Sequence, residues 1–586
     1  MSSGFAKALS TRLCPFGLIV NAVPVTREMQ EFKSNLLVED SDFHSYELRI
    51  SGKVQSGAVA SCLINLSFPK FDKTGSYEIA GVWRTVCHRA ILDYTQELGD
   101  KNRKYKFLGK FDVIIEAVHK ILHRSLNEFF YTGTSPHPDC AQGQVDAWFK
   151  TSPLCQVIGD SNVAKSSKHE MVYFSQAIGG GLDMNKRTFS EYYWGLLDPC
   201  STSSSDNVNM VFRLCKGVKL ENGDLIKPLD EDISWFCTAV EDNVIGVQYG
   251  PKRLHMLRSQ FEQSLELVNP EDPYVQGPNH SLSGVHLQTA IMHLGHHTFE
   301  DAIAISQTAA NKLACYRRYK VTVATKSDVE VLVKKGEKVG PNTPIFKHED
   351  RSGATKISKC KKLRDIGTIE ELKCFRTTQF GSEMLRYQAI VVAKYPVQPG
   401  DKLTTRGAIK GVATVVPDDK MPRFDRASVP VDCCIAPESI YNRQSMVTFW
   451  EMMMNKMQKQ KGASPVVSLP YEEEFSFQDL CDLNYQRKRN LYYKDRELTE
   501  ETFVAPLYFM RLDKIASEVI SHQDGKLHLN IQGLPIDNAS ISGQRCDLAT
   551  RINLSCKGLK NTLDSMIEDS HGTDLVREII GVIKNE

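Results

Sequence analysis

Residues 400–411, Gly-Asp-Lys-Leu-Thr-Thr-Arg-Gly-Ala-Ile-Lys-Gly, constrain this chain more than any other stretch. Two lysines and an arginine sit among small and turn-forming residues. Backbone of that kind can approach a ligand closely while three cations meet an anion. Lys402 and Lys410 lie eight residues apart, with Gly411 directly after the second. The spacing suits two positions on a folded-back strand–turn–strand and suits one helical face poorly. Taken alone, the loop is also what a solvated hairpin with scattered charge looks like.

The chain has 586 residues, enough for several domains and a large core. Its net charge is +1, so contact with nucleic acid must come from local patches and not from a global field. No apolar run approaches the roughly 20 residues that span a bilayer. The short apolar stretch at 13–23 is interrupted by Pro15 and Asn21 and reads as a core strand. Sixteen cysteines are scattered without a Cys-x-x-Cys pair, which fits free buried thiols in a reducing cytoplasm better than structural zinc. His293, His296 and His297 are spaced so that two could share a metal on a helix.

Short β-rich runs such as 58–68 and a helical segment near 111–130 occupy the first part. Residues 201–205 are breaker-rich and read as loop. Alternation across 321–346 predicts small β-hairpins, and 390–393 predicts a strand leading into the lysine loop. Residues 449–457 are Met-rich and helical, with Glu451 early; residues 559–583 have helical periodicity.

Five blocks, in order, resemble the β subunit of multisubunit DNA-directed RNA polymerases. The lysine loop is similar to the family pattern Gly-Asp-Lys-(Met/Leu)-x-x-Arg-His-Gly-x-Lys-Gly. Phe299-Glu300-Asp301-Ala302-Ile303-Ala304-Ile305-Ser306 resembles Phe-Glu-Asp-Ala-Ile-x-Ile-Ser. Met421-Pro422, Pro430-Val431-Asp432, Pro437 and Arg443 follow a Met-Pro…Pro-Val-Asp…Asn-Pro…Ser-Arg run. Gly543-Gln544-Arg545, Gly558, Thr562-Leu563 and Met566 resemble the clamp segment. Gly179–Gly181, Gly195, Pro199, Thr202 and Asn207 fall where the family has its Gly-rich and fork runs.

The resemblance implies a mixed α/β multidomain chain. A double-psi β-barrel core would carry a small β-rich flap insertion and a C-terminal helical clamp or anchor segment. The implied divisions are a lobe-like region at 1–150, a fork-like region at 151–245 and the first part of the barrel at 246–315. A reduced flap at 316–395 precedes the second part of the barrel at 396–445. A connecting helical region at 446–510 and the anchor at 511–586 complete the chain. It further implies that Lys402 and Lys410 reach the RNA 3′ end and the incoming nucleotide, that Arg406 adds a third cation, and that Arg443 grips the triphosphate. Arg253, from a weaker match with Met256 and Gln263, would assist. Glu300 and Asp301 would be outer partners of a nucleotide-delivered Mg²⁺. Arg545, Lys514 and Asn207 would contact nucleic acid.

The Asp-Phe-Asp-Gly-Asp triad of the β′ subunit does not occur in this sequence, so Mg²⁺ would be held mainly by a partner chain and no metal directly by this one. The implied partners are an N-terminal β-like chain, β′-like chains, a specificity factor, DNA template, RNA and nucleoside triphosphates, with no membrane. The likeness to a split subunit of large tailed phages implies the cytoplasm of a bacterial host, or a virion or phage-induced compartment. Gly407 stands where the family has His, which implies different hydrogen bonds around the lysine pair; separately, 201–205 lack the fork carboxylates and the Arg-rich tract before the Gly-rich run is missing, which implies resistance to rifampicin. The rival reading is a retired polymerase relative acting as a binding or inhibitory protein; retention of Lys402, Arg406, Lys410 and Arg443 speaks against it.

Overall fold

A computed structural model describes chiefly residues 43–53, 58–92, 105–126, 138–174, 189–424, 430–461 and 491–519, with short gaps inside them. Smaller pieces are described at 8, 11, 19–24, 38–39, 466–467 and between 551 and 561. Two compact units emerge, Met1–Ile515 and Ala516–Glu586. In the second, the helix Ala516–Val519 is described, and the helical periodicity expected at 559–583 lies almost wholly outside the described residues.

The first unit begins with the antiparallel pair Phe43–Lys53 and Val59–Pro69, joined on its edge by Ile19–Pro24. Cys62, Ile64, Leu66 and Phe68 alternate with more exposed neighbours, as a strand with one buried face requires. Their apolar face packs with the helices Lys110–Ser125 and Pro138–Thr151. Lys110–Ser125 is helical because Val113, Ile114, Val118 and Leu122 recur at three- and four-residue spacing and are all buried. A second sheet orders Val211–Arg213, Met171–Phe174, His88–Leu92 and Tyr105–Leu108.

The central element is a closed six-stranded barrel. Around it run Val285–Ile291, Cys433–Ile435, Ala302–Ser306, Lys410–Val416, Lys402–Thr405 and Val504–Arg511, which returns to the first. Two of the six pairings are parallel, Val285–Ile291 with Cys433–Ile435 and Ala302–Ser306 with Lys410–Val416. Leu287, Ile303, Ile305, Leu403, Ala413, Cys433, Leu507 and Phe509 fill its core. The last strand was not expected from the sequence, where 446–510 reads as a helical connection. The helix Val447–Lys461 is present, but the segment ends as a barrel wall buried at every position. Among the described residues the cysteines are free, and all but Cys200 are buried.

An all-β insertion leaves the barrel at Cys315 and returns at Tyr395. Its long strands Cys315–Thr325, Ser382–Tyr395 and Gly367–Gln379 form one sheet, and Val329–Val331, Pro344–Glu349 and Thr355–Lys359 form a second. Between the barrel and the upstream sheets lies the helix Pro251–Glu262, begun by a proline at its first turn. At its C-terminal end Glu262 is largely buried against Arg213 and Arg258, at 2.7 and 2.8 Å. Burial works against that carboxylate, but Arg213, Arg258 and Lys168 outweigh it and hold the Glu262 pKa down at about 2. This ion-pair group fixes the helix that supplies Arg253 and leads into Gln263.

Candidate nucleotide and nucleic-acid site

The lysine loop folds as its spacing predicts. Lys402–Thr405 and Lys410–Val416 pair antiparallel, with Lys402 opposite Val412 and Thr404 opposite Lys410. The two lysines are therefore diagonal neighbours on the outer face, while Leu403 and Ala413 point into the barrel. Residues 406–409 make the turn, closed by Thr405 N donating to Ile409 O at 3.2 Å. Ala408 adopts φ 58° there. Gly407 has no room for a side chain, since a Cβ would collide with Thr448 Oγ1, and its carbonyl accepts from Ser445 Oγ. Gly411 is equally constrained, because a Cβ would strike the Asp301 carbonyl oxygen.

Three ammonium groups gather on this face. Lys410 Nζ lies 3.5 Å from Gln263 Oε1. Burial, then the charges of Lys402 and Lys514, lower the Lys410 pKa below its ordinary value. Lys514 is delivered by the turn after the last barrel strand, where Leu512 N donates to Lys402 O at 2.9 Å and Asp513 N to Gln263 O at 2.7 Å. Lys514 is exposed, and its neighbour Asp513 pairs with Arg317 of the insertion at 2.8 Å.

The acidic pair lies immediately beside the second lysine. Val412 N donates to Asp301 O at 3.1 Å, which places the Asp301 backbone against Lys410-Gly411. The preceding Glu300 takes φ 50°, a left-handed conformation that costs a non-glycine residue on the order of 1–3 kcal/mol, and Ser439 Oγ holds its carbonyl at 3.1 Å. Arg443, just past the short helix Glu438–Tyr441, donates through Nη2 to Asp301 Oδ1 and through Nη1 to Ser439 O at 3.0 Å. Arg253 completes the group: burial and then the like charge of Arg443 lower its pKa. Its Nη1 is buried without a hydrogen-bond partner.

Arg406 does not join the other cations, contrary to what the sequence suggests. It is fully buried, its Nε and Nη2 donate to Glu451 Oε1 at 3.0 and 2.5 Å, and Nη1 donates to Val275 O. Its guanidinium carbon stands 5.1 Å from the Tyr508 ring centroid. An arginine spent on a carboxylate, a carbonyl and an aromatic face braces the loop and cannot reach a substrate. Asp401 acts likewise: its Oδ2 accepts from Arg511 Nη2 at 2.7 Å and from Gln398 N at 2.9 Å, both charged side chains being fully buried. Neither partner, Glu451 nor Arg511, carries a local sequence signal, since each pairs across more than 40 positions.

Asn207 sits in a turn, its carbonyl accepting from Met210 N at 3.0 Å, and no contact among the described residues joins it to the lysines. Arg545 and Gly179–Gly181 lie outside the described residues. His293 bonds Glu438 at 3.2 Å, while His296 and His297 occupy a single 3-10 turn and do not form a shared helical metal pair. Among the described residues no group of three or more His, Cys, Asp or Glu side chains could hold a metal ion. Asp301, with its side chain 59% exposed, is suited to one outer contact with a cation and not to a closed coordination shell.

No curated protein is similar enough to this chain to count as a match. Residues 320–527 do match the family model described as RNA polymerase Rpb2, domain 6, a span that includes most of the insertion, Lys402, Lys410, Arg443 and Lys514 but begins after Asp301. With a closed barrel under those cations, that match supports reading the chain as an RNA polymerase β-subunit-like protein.

Proposed function

We propose that this chain is the C-terminal part of a split β-type subunit of a multisubunit DNA-dependent RNA polymerase, of the kind found in large tailed phages. Its barrel is then of the double-psi type, and Lys402 and Lys410 contact the RNA 3′ end and the incoming nucleotide. Lys514 faces the initiating nucleotide or nearby nucleic acid, and Arg443 with Arg253 grips the triphosphate. One observation carries the reading: cations from four separate segments gather around the strand pair 402–416.

Nucleotidyl transfer depends on holding the attacking oxygen in line and on neutralising developing charge. Lys410 and Lys402 supply compact charges at a partly buried surface, where they act more strongly than in bulk water. Arg443 supplies a planar fork matched to phosphate oxygens. Gln263 restrains Lys410, and the Glu262 ion-pair group restrains the helix leading to Gln263. Magnesium, held mainly by a partner chain, supplies Lewis acidity and charge neutralisation at the phosphates. The proposed partners are an N-terminal β-like chain, β′-like chains bearing the Asp triad and a specificity factor, with DNA, RNA and nucleoside triphosphates.

Lys410→Ala in the reconstituted assembly is the test. Elongation should fall at least tenfold while the assembly still forms; unchanged elongation overturns the assignment. Against the retired relative, Lys402, Lys410 and Arg443 now carry the argument, because Arg406 is structural. Co-purification separates the two readings: a polymerase subunit travels with chains bearing the Asp triad, a retired relative alone or with a cellular polymerase.

A further inference from the structure

The guanidinium assigned to the triphosphate is already engaged. Arg443 Nη2 donates to Asp301 Oδ1 and Nη1 to Ser439 O. The pair is lopsided, with the Arg443 side chain 18% exposed and Asp301 59%, so the carboxylate covers the arginine from the solvent side. Arg253 feels the like charge of Arg443 and has a buried Nη1 with no acceptor. Asp301 thus serves Arg443 alone, and the buried Nη1 of Arg253 goes unmet. A buried unmet donor costs about 1–3 kcal/mol, whereas a partly exposed ion pair contributes only about 0–1 kcal/mol. The resting arrangement is therefore cheap to break and leaves acceptor capacity to be filled.

A polyphosphate has the charge and the oxygens to satisfy both arginines, but it cannot use Arg443 Nη2 while Asp301 occupies it. We propose that Asp301 is a displaceable occupant of the polyphosphate seat: the incoming polyphosphate breaks the Asp301–Arg443 pair, takes both guanidinium groups, and frees the Asp301 carboxylate for the divalent cation that accompanies it. The inference rests on the reading of Arg443 as a polyphosphate contact. It makes cation and polyphosphate mutually reinforcing, because each favours the state in which the pair is open. The Asp301 backbone need not move, since its carbonyl stays bonded to Val412 N.

Isothermal titration of the full-length chain with inorganic tripolyphosphate, with and without magnesium, tests this independently of catalysis. Asp301→Asn should bind metal-free tripolyphosphate about tenfold more tightly than the unmodified chain, and Arg443→Gln should erase that gain in the double variant. Glu300→Gln, which removes an adjacent charge, should change affinity less than twofold. Magnesium should tighten binding to the unmodified chain more than to Asp301→Asn. Equal affinities for the unmodified chain and Asp301→Asn overturn the proposal, as does an equal gain from Glu300→Gln or in the Arg443→Gln background. Absence of binding by every variant, with circular dichroism showing each folded, overturns it too. The polymerase reading is judged separately, by Lys410→Ala in the assembly.

Discussion

Replacing Arg406 by Met should unfold the barrel before it touches the chemistry. The side chain is fully buried, and its loss strands the Glu451 carboxylate, whose Oε2 already lacks a partner. Breaking a buried pair by removing one member costs about 3–5 kcal/mol, because the remaining charge is uncompensated. The lost bond to Val275 O and the Tyr508 ring contact act in the same direction and overlap with that figure. The shift per kcal/mol shrinks with size, from about 2–4 °C at 150–250 residues, so the calorimetric transition of the unit Met1–Ile515 should fall by several degrees. The double variant Arg406→Met/Glu451→Met should recover most of the loss, since an apolar pair leaves no stranded charge. Lys410→Ala, at a partly exposed position, should move the transition by less than about 0.5 kcal/mol. If Arg406→Met melts with the unmodified chain yet stops elongation as Lys410→Ala does, Arg406 is a substrate contact and the structural assignment fails.

Gly411→Ala should cost about 1–3 kcal/mol by overpacking, read as a lower transition temperature, because the new methyl meets backbone at Asp301 and not a flexible side-chain end. The Glu262 pKa, about 2 when folded against an ordinary 4.5, makes its ion-pair group stabilising above pH 4.5; unfolding followed by calorimetry should show stability falling as pH drops from 4.5 toward 2. Glu262→Gln should flatten that dependence while lowering stability at neutral pH. Lys514→Gln removes a like charge from beside Lys410, so the alkaline limb of the elongation profile, normalised to its maximum, should move to higher pH. An unmoved limb would show that the two ammonium groups do not interact.

The sequence displays the local parts of the site better than its supports. The strand–turn–strand of 400–416 follows from glycines and spacing that act within a dozen residues, and the helix expected at 449–457 from its Met-rich character is observed over Val447–Lys461. Arg406 misleads because a cation inside a glycine-rich loop looks alike in sequence whether it faces a ligand or a buried glutamate 45 positions away. The strand Val504–Arg511 was hidden for a related reason. Its residues are buried on both faces, so no alternation marks it, and its closing partners lie about a hundred or more positions upstream. Gly407 shows how a departure from a family pattern can be read physically: Ser445 and Thr448 occupy the space a larger side chain would need.

The two ends of the insertion meet. Cys315 and Tyr395 are directly opposed in register, so the chain exits and re-enters the barrel within the width of one strand pair. A module hinged on adjacent termini can lengthen, shrink or be exchanged without moving the strands on either side of it. Length changes in that module therefore need not disturb the strand pair that carries Lys402 and Lys410. Excising the module and bridging its stumps with a tight turn is the natural route to a minimal barrel for crystallography or engineering.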